Sequence, residues 1–435
     1  MERQVLTELL RWKDRPRKPL ILRGARQVGK TWLIKEFGTR HFNRLVYVNF
    51  DESAAATALF TQDLDIERLL AGLALLDGGG PIDPANTLIA FDEIQDAPRA
   101  VSSLKYFAER LPGAHVIAAG SLLGVALHEG ASFPVGKVEF LDLHPMTFTE
   151  FISAGGRADL ASLIRDGDLQ LTVPLHPTLT DLLRRYYVVG GMPEAVSTFL
   201  RNGDVEAART VQSQLLTAYD QDFSKHAPPL QVPRIRQVFG SLPAQLAREN
   251  RKFVYGLIRS GARAKEFETA INWLRDAGMV SLIPRITAPY LPTSAYVDSR
   301  AFKLFGLDVG LLGAQAGLDP AIIAHGDAVF REFRGALTEQ YAAQQLAALG
   351  GLSPHYWTST SGNAEVDFVV TQGSAVVPLE VKAEENTKAK SLLRYRELYG
   401  PRLAIRSAMV PYGRDDSLAS LPLYALESLP RIVSS

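Results

Sequence analysis

The chain lacks cysteine, long apolar runs and net charge. Without a cysteine among its 435 residues it forms no disulfide and offers zinc no thiolate ligand. Its 8 histidines show no pair at ligand spacing, so any metal is expected to be a hard, oxygen-bound ion. No apolar run approaches the roughly 18–20 residues of a membrane span, and the N-terminal stretch is charged and amphipathic, unlike a signal peptide. We therefore expect a cytoplasmic protein with no membrane contact.

The charges that are present balance, but they are unevenly distributed. There are 47 basic and 47 acidic residues. Residues 1–50 carry 12 Lys and Arg against 4 Asp and Glu, and residues 231–300 carry 11 against 5. The second excess is compatible with contact to a polyanion such as DNA and equally with an ordinary solvated surface.

Hydrophobic periodicity predicts an α/β protein with several domains. Over residues 1–150, short apolar runs alternate with helical patterns, which predicts a parallel sheet with crossover helices. Residues 151–245 have a helical, lid-like pattern, and residues 246–325 have the helix and strand rhythm of a winged helix. Residues 326–435 mix strands and helices, so we predict a separate C-terminal α/β domain there.

A phosphate-binding loop follows the first predicted strand. The stretch "GARQVGKT", residues 24–31, has the spacing G-x-x-x-x-G-K-[ST] between a strand and a helix. The backbone N–H groups of such a loop surround phosphate oxygens, Lys30 reaches the β- and γ-phosphates, and Thr31 can bind Mg²⁺. We therefore predict that ATP and Mg²⁺ are the cofactors. The predicted nucleotide-binding residues are Gly24, Ala25, Arg26, Gln27, Val28, Gly29, Lys30 and Thr31.

Acidic and polar residues end two further strands. In "TLIAFDEIQ" an apolar run leads into Asp92 and Glu93, at the sheet edge where α/β proteins bind ligands. We predict that Asp92 holds Mg²⁺ through water and that Glu93 polarises the water that attacks the γ-phosphate. Ser121 ends the strand "HVIAAGS" and either senses the γ-phosphate or caps the next helix.

These motifs resemble those of the additional-strand ATPases of the AAA+ class. Within that class the chain resembles bacterial and archaeal ATPases that have a C-terminal domain of unknown function. The resemblance implies a site completed by an arginine from a neighbouring subunit, and hence a homo-oligomer, but no such arginine is identifiable here. The stretches that carry it are "LRGARQVGKT", "FDEIQ", "GSLLG", "FPVGKVEFLDLHPMTFTEF", "GGMPEAV", "LDVGLL" and "GNAEVDFVV".

A second group of charged residues lies near the C-terminus. "AEVDFVV" places Asp367 in one strand, and "PLEVK" places Glu380 and Lys382 on one face of the next, with a hairpin at "TQGS" between them. With Glu339 on the preceding helix, this pattern resembles the restriction-endonuclease-like fold. Asp367, Glu380 and Glu339 could hold Mg²⁺ while Lys382 stabilises a phosphodiester under attack. An exposed strand with a solvated Glu380–Lys382 pair and a domain that binds without cutting remain the alternatives.

Two further stretches lie upstream of this group. "GGMPEAV" is most simply a glycine turn before a helix that starts at Pro193. A helix-turn-helix-like stretch provides cations that would contact DNA phosphates or belong to a spacer. These cations are Arg251, Lys252, Arg259, Arg263 and Lys265.

The sequence thus predicts a Mg²⁺-dependent ATPase coupled to a nuclease-like domain that binds or processes DNA. The main alternative is an ATP-driven switch without nuclease activity, whose C-terminal domain docks a protein partner. A small-molecule kinase is disfavoured, because the pair Asp92–Glu93 indicates a water nucleophile.

Overall fold

The computed structural model describes residues 1–121, 134–248, 252–320, 331–360, 362–383 and 390–434. The chain divides into two compact units, each with its own sheet. One unit comprises residues 1–144 and 276–278, and the other comprises residues 145–275 and 279–435. The finer division at residues 1–150, 151–245, 246–325 and 326–435 stays a prediction.

Five parallel strands form the sheet of the first unit. They are β1 (Leu20–Arg23), β2 (Arg44–Asn49), β3 (Thr87–Asp92), β4 (His115–Ala119) and β5 (Glu139–Asp142). Hydrogen bonds join them in the order β2-β3-β4-β1-β5. Strand β4 therefore lies between β1, which leads into the phosphate loop, and β3, which ends in the acidic pair. The predicted parallel sheet with its additional strand is confirmed.

Helices cover this sheet because its central strands are apolar on both faces. Every residue of β3 and β4 is buried, which is typical of parallel strands packed between helix layers. On one side, Phe50, Phe60, Phe91 and Phe107 pack with ring centroids 5.5–5.9 Å apart. The helices are α1 (Val5–Lys13), α2 (Lys30–His41), α3 (Ala54–Gln62), α4 (Ile66–Leu76) and α5 (Pro98–Arg110).

The second unit begins with helices and ends in a mixed sheet. Its helix at Pro193 begins where the sequence predicts it. No helix in the described part of the chain has both the length and the apolar character needed to cross a membrane. The remaining helices are α6 (Phe148–Ala154), α7 (Ala158–Asp166), α8 (Leu169–Thr172), α9 (His176–Val189), α10 (Pro193–Asn202), α11 (Val205–His226), α12 (Val232–Leu246), α13 (Ala264–Asp276), α14 (Val309–Gln315), α15 (Arg331–Ala348), α16 (Lys390–Tyr399) and α17 (Leu429–Ser434).

Eight strands form the sheet of the second unit. They are β6 (Val280–Ile286), β7 (Val297–Gly306), β8 (Ser353–Thr358), β9 (Glu365–Gln372), β10 (Ala375–Val381), β11 (Ala404–Ala408), β12 (Gly413–Asp415) and β13 (Leu418–Pro422). Their order is β12-β13-β11-β10-β9-β8-β6-β7. The strands of the predicted winged-helix region, β6 and β7, therefore extend the C-terminal sheet.

A buried carboxylate joins two of the stretches that carry the family resemblance. Asp308 of "LDVGLL" accepts hydrogen bonds from the backbone N–H groups of Gly191 (2.6 Å) and Leu311 (3.0 Å) and from Nε2 of Gln344 (2.9 Å). Gly190 of "GGMPEAV" has φ +69°, and a Cβ there would lie 2.1 Å from Oδ1 of Asp308. Burial raises the pKa of Asp308. The two stretches therefore form one structural junction inside the second unit.

Candidate functional site

The phosphate loop has the backbone that its glycines permit. Gly24 has φ +148°, and a Cβ there would lie 2.2 Å from the carbonyl oxygen of Leu143. Gly29, at φ +98°, caps α2, and Gln27 also has a positive φ of +63°. Val28 between them is buried in the core. The loop therefore turns sharply into the first residue of α2, Lys30, as a phosphate-binding loop requires.

Lys30 lies folded over this loop. Its Nζ donates hydrogen bonds to the carbonyl oxygens of Gly24 and Ala25, both at 2.8 Å. Burial lowers the pKa of Lys30 to about 8, although the carboxylates of Glu93 and Asp92 oppose the shift. An ammonium held by loop carbonyls can exchange them for phosphate oxygens when a nucleotide binds.

Thr31 and Asp92 meet next to the loop. The hydroxyl of Thr31 donates to Oδ2 of Asp92 at 2.6 Å, and Asp92 is 2% exposed. The hydroxyl of Tyr47, on β2, donates to the same oxygen at 2.7 Å. This donor set fits a hard divalent ion, because Mg²⁺ takes carboxylate and hydroxyl oxygens as ligands. Sequence reasoning missed Tyr47, whose strand pattern indicates only core packing.

Glu93 lies beside Ser121. Its backbone has φ +48°, and Nε2 of Gln95 donates to its Oε2 at 2.5 Å. The hydroxyl of Ser121 donates to the same Oε2 at 3.3 Å, and Nε of Arg26 donates to the Ser121 hydroxyl at 3.1 Å. Ser121, the predicted γ-phosphate sensor, is thus in contact with Glu93, the predicted hydrolytic carboxylate.

Arg3 is a further buried residue that the sequence analysis overlooked. Its guanidinium donates to the carbonyl oxygens of Val28 (2.9 Å) and His144 (2.6 Å). Arg3 therefore ties the phosphate loop to the N-terminal segment. No local pattern marks it, because its partners are backbone groups far along the chain.

The predicted C-terminal residues come together on neighbouring strands. β9 and β10 pair as the predicted hairpin, and Oδ2 of Asp367 accepts a hydrogen bond from the backbone N–H of Val381 at 2.9 Å. Nζ of Lys382 lies 2.7 Å from Oε1 of Glu380. Within the described chain, Oε2 of Glu380 is buried and has no hydrogen-bond partner. Burial, and then the Asp367 carboxylate, raises the pKa of Glu380 to about 7.

A lysine that the sequence analysis did not consider lies among these acids. Lys303, on β7, is 0% exposed. Its Nζ lies 2.7 Å from Oε1 of Glu365, 3.5 Å from Oε2 of Glu339 and 3.7 Å from Oδ1 of Asp367. Burial alone would lower the pKa of Lys303, but the carboxylates of Glu339, Asp367 and Glu365 outweigh it and raise that pKa. Lys303 is therefore a charged counter-ion inside the cluster.

The predicted magnesium site at Asp367, Glu380 and Glu339 thus has an ammonium within it. Across the described ranges, no group of three or more His, Asp or Glu side chains is arranged to hold a metal ion. Metal binding at these three residues stays a prediction.

The predicted DNA-contacting cations are exposed where they are described. Arg263 and Lys265 lie at the start of α13, and Arg259 forms an ion pair with Glu266. Lys252 is also exposed, whereas residue 251 lies outside the described residues. These exposed side chains could reach a polyanion, but their arrangement does not specify one.

Comparison with known families agrees with the fold and the loop. Residues 16–152 match a family described as an AAA domain, so the chain contains an AAA-like P-loop ATPase domain. Residues 334–426 match a domain of unknown function, DUF4143, and residues 180–321 match another, DUF8612. The chain thus combines an AAA domain with a C-terminal domain of unknown function, which confirms the resemblance stated from the motifs.

Individual relatives add no established activity. Two uncharacterized proteins, Rv2008c of Mycobacterium tuberculosis and Mb2031c of Mycobacterium bovis, are each 24% identical over 397 residues, covering 89% of this chain and 75% of theirs. Among solved structures, the Walker-type ATPase PABY2304 of Pyrococcus abyssi is similar with 16% identity and a TM-score of 0.44, covering 71% of this chain and 94% of its own. The structure of Drosophila ORC bound to DNA is similar with 15% identity and a TM-score of 0.27. The match covers 73% of this chain and 94% of the ORC chain. At these scores the structural likenesses carry no conclusion about this chain.

Proposed function

We propose that the chain is a Mg²⁺-dependent ATPase that acts in the cytoplasm and uses hydrolysis to change the state of its C-terminal domain. The observation that carries the proposal is the contact between Thr31, the last residue of the phosphate loop, and Asp92. Glu93 follows Asp92 in the sequence. A storage site for nucleotide needs no second carboxylate, whereas hydrolysis needs a base for water.

Each residue of this site has a separate task. Lys30 binds the β- and γ-phosphates, and Thr31 and Asp92 are the residues that would hold Mg²⁺. When bound, Mg²⁺ would neutralise charge on the phosphates. Glu93 orients the attacking water and accepts its proton. Ser121 donates a hydrogen bond to the Glu93 carboxylate and would sense the γ-phosphate.

ATP turnover tests this proposal. We expect the wild-type chain to release phosphate only when Mg²⁺ is present, and we expect Lys30→Ala to abolish both ATP binding and turnover. Lys105→Ala, an exposed lysine of α5, is the matched control and should behave as the wild type. Turnover that persists in Lys30→Ala, or that needs no divalent ion, would contradict the proposal.

For the C-terminal domain, Lys303 favours a switch without nuclease activity. A nuclease is supported by the convergence of Asp367, Glu380 and Lys382 on adjacent strands. However, the Lys303 ammonium lies 3.5 Å from Glu339 and 3.7 Å from Asp367, so it offsets part of the negative charge that would attract Mg²⁺. We therefore favour a domain that binds a partner, with the exposed cations near α13 supporting DNA and a protein partner as the alternative. A homo-oligomer remains part of this proposal through the AAA-type domain.

A DNA assay separates the two candidates. Single-stranded, duplex and branched DNA would be incubated with Mg²⁺, with and without ATP, and with the wild type, Asp367→Ala and Glu380→Ala. We expect no cleavage by the wild-type chain. Cleavage that both substitutions remove while ATPase activity survives would establish the nuclease instead.

A further inference from the structure

Arg26 is linked to the hydrolytic end of the nucleotide site through one hydroxyl. Its Nε donates to the hydroxyl of Ser121 at 3.1 Å. That hydroxyl, which is buried, donates in turn to Oε2 of Glu93 at 3.3 Å. The guanidinium therefore lies one side chain away from the carboxylate that would activate water. Lys30 bonds carbonyl oxygens within the loop, whereas Arg26 reaches out of the loop to Ser121, which follows β4.

Arg26 and Lys30 belong to the same phosphate-binding loop, whose backbone has positive φ at Gln27 and Gly29. The ammonium of Lys30 bonds carbonyl oxygens of the loop, while the guanidinium of Arg26 is linked through Ser121 to Glu93. A phosphate-binding loop holds the terminal phosphate near its lysine and near the residue that positions the attacking water. Arg26 therefore lies on the side of the loop where the transferring phosphoryl group is expected.

We propose that Arg26 supplies, from the same chain, the positive charge that stabilises the γ-phosphoryl group during its transfer to water. The inference rests on the proposed ATP hydrolysis and deepens it. An arginine that contacts the transferring group is a recurrent part of such sites, where it compensates the charge that develops on phosphate oxygens. AAA-type sites were expected above to take this arginine from a neighbouring subunit. Here the geometry offers one in the loop itself.

The reaction that Arg26 assists balances without another reactant. The water oxygen forms a bond to the γ-phosphorus, and the bond from that phosphorus to the β–γ bridging oxygen breaks with its electron pair left on ADP. Glu93 accepts a proton from the water and later releases it to solvent, and the products are ADP and inorganic phosphate. Arg26 exchanges no proton, because its guanidinium stays charged, and its part in the reaction is to contact the γ-phosphate oxygens.

Substitution of Arg26 distinguishes a role in the transition state from a role in holding the loop. The wild type would be compared with Arg26→Lys and Arg26→Ala. Arg23→Ala is the matched control, because Arg23 lies just before the loop and pairs through two 2.8 Å contacts with Asp142 on the neighbouring strand. Three quantities would be measured: the single-turnover rate at saturating Mg²⁺·ATP, the dissociation constant of ADP, and trapping of ADP by aluminium fluoride.

We expect Arg26→Ala to lower the turnover rate by about 10³-fold, while the ADP dissociation constant changes less than about threefold. Trapping with aluminium fluoride, which resembles the transferring group, should be lost, and Arg23→Ala should match the wild type. A wild-type rate in Arg26→Ala would overturn the proposal. Loss of ADP binding in both Arg26 variants would also overturn it, because Arg26 would then only shape the loop.

Mixing two inactive variants tests whether Arg26 acts within its own chain. Arg26→Ala keeps Glu93, and Glu93→Gln keeps Arg26, so a mixture holds both groups on different chains. We expect no recovery of turnover. Recovery on mixing would assign Arg26 to a neighbour's site and overturn the inference while leaving ATP hydrolysis intact. Absence of Mg²⁺-dependent turnover in the wild type would instead reject the proposed function itself.

Discussion

The two acidic sites of this chain differ in what faces their carboxylates. At the end of β3, Asp92 accepts hydrogen bonds from the hydroxyls of Thr31 and Tyr47. In the C-terminal sheet, the carboxylates of Glu339 and Asp367 face the ammonium of Lys303. Hydroxyl donors leave the full negative charge of a carboxylate available to a metal ion, whereas a neighbouring ammonium offsets part of that charge. Acidic residues at strand ends therefore do not define a metal site until their counter-charge is known.

Among substitutions that test the difference between the two sites, we expect the largest effect, a loss of ATP hydrolysis, at Glu93. We expect Glu93→Gln to lower the rate of ATP hydrolysis by about 10³-fold, since the amide cannot accept the proton of water. By the transition-state relation this is about 4 kcal/mol of activation free energy. ATP binding should remain near the wild-type level, measured by equilibrium titration with labelled nucleotide.

Glu67→Gln, on the exposed face of α4, is the control for Glu93→Gln and should hydrolyse ATP normally. A loss below tenfold in Glu93→Gln would mean that another group activates the water.

The second largest effect, a loss of stability, is expected at Lys303. Lys303→Met leaves the buried carboxylates of Glu339 and Asp367 without their counter-charge. Removal of one partner from a buried ion pair typically costs 3–5 kcal/mol, so we expect the free energy of unfolding to fall by about 3 kcal/mol. Urea unfolding, with hydrogen exchange of peptides from β9 and β10, would measure the change. A double variant, Lys303→Met with Glu365→Gln, should recover part of it, and an unchanged stability of Lys303→Met would show that the cluster needs no internal cation.

A smaller effect is expected at Tyr47. Tyr47→Phe removes a hydroxyl that donates to Oδ2 of Asp92 at 2.7 Å. Groups that orient a metal ligand typically contribute 10–100-fold to metal affinity, so we expect the Mg²⁺ concentration for half-maximal hydrolysis to rise about tenfold. Tyr106→Phe, on α5, is the control. If both variants need the same Mg²⁺ as the wild type, Asp92 does not depend on this hydroxyl.

The smallest effect is expected at Lys382, the second lysine of the C-terminal site. Its side chain is 39% exposed, while that of Lys303 is fully buried. The ammonium of Lys382 is partly solvated, and Glu380, whose pKa burial raises to about 7, can take up a proton when the lysine is lost. We therefore expect Lys382→Met to lower the free energy of unfolding by less than about 1 kcal/mol. The same urea titration as for Lys303→Met would measure it. Equal losses in the two lysine variants would remove the distinction between a buried and a solvated cation.

Much of the nucleotide site is predictable because its parts are contiguous in sequence. The loop spacing around Lys30 fixes a strand, a turn and a helix, and the apolar run before Asp92 fixes a buried strand. Parallel strands of an α/β sheet present their carboxyl ends at one edge, so the loop and the acidic pair had to meet. Tyr47 escaped prediction because its strand pattern does not reveal that β2 pairs with β3.

The C-terminal site shows where sequence reasoning ends. The hairpin that joins β9 to β10 is local, and its alternation placed Glu380 and Lys382 together. Lys303 reaches the cluster only because β7 and β6 join the same sheet beyond β8, which no local pattern specifies. A lysine in an apolar strand normally indicates a solvated face, so its burial among carboxylates becomes visible only with the sheet order.

The count of bound divalent ions tests the central difference between the two sites most directly. Mn²⁺ would be titrated into the chain with saturating ATP and followed by electron paramagnetic resonance, for the wild type, Asp367→Asn and Lys303→Met. We predict one protein-bound Mn²⁺ per chain, held with the nucleotide, in the wild type and in Asp367→Asn, and a second ion only in Lys303→Met. A second Mn²⁺ in the wild type that Asp367→Asn removes would show that the C-terminal acids take a metal despite Lys303, and would contradict the account.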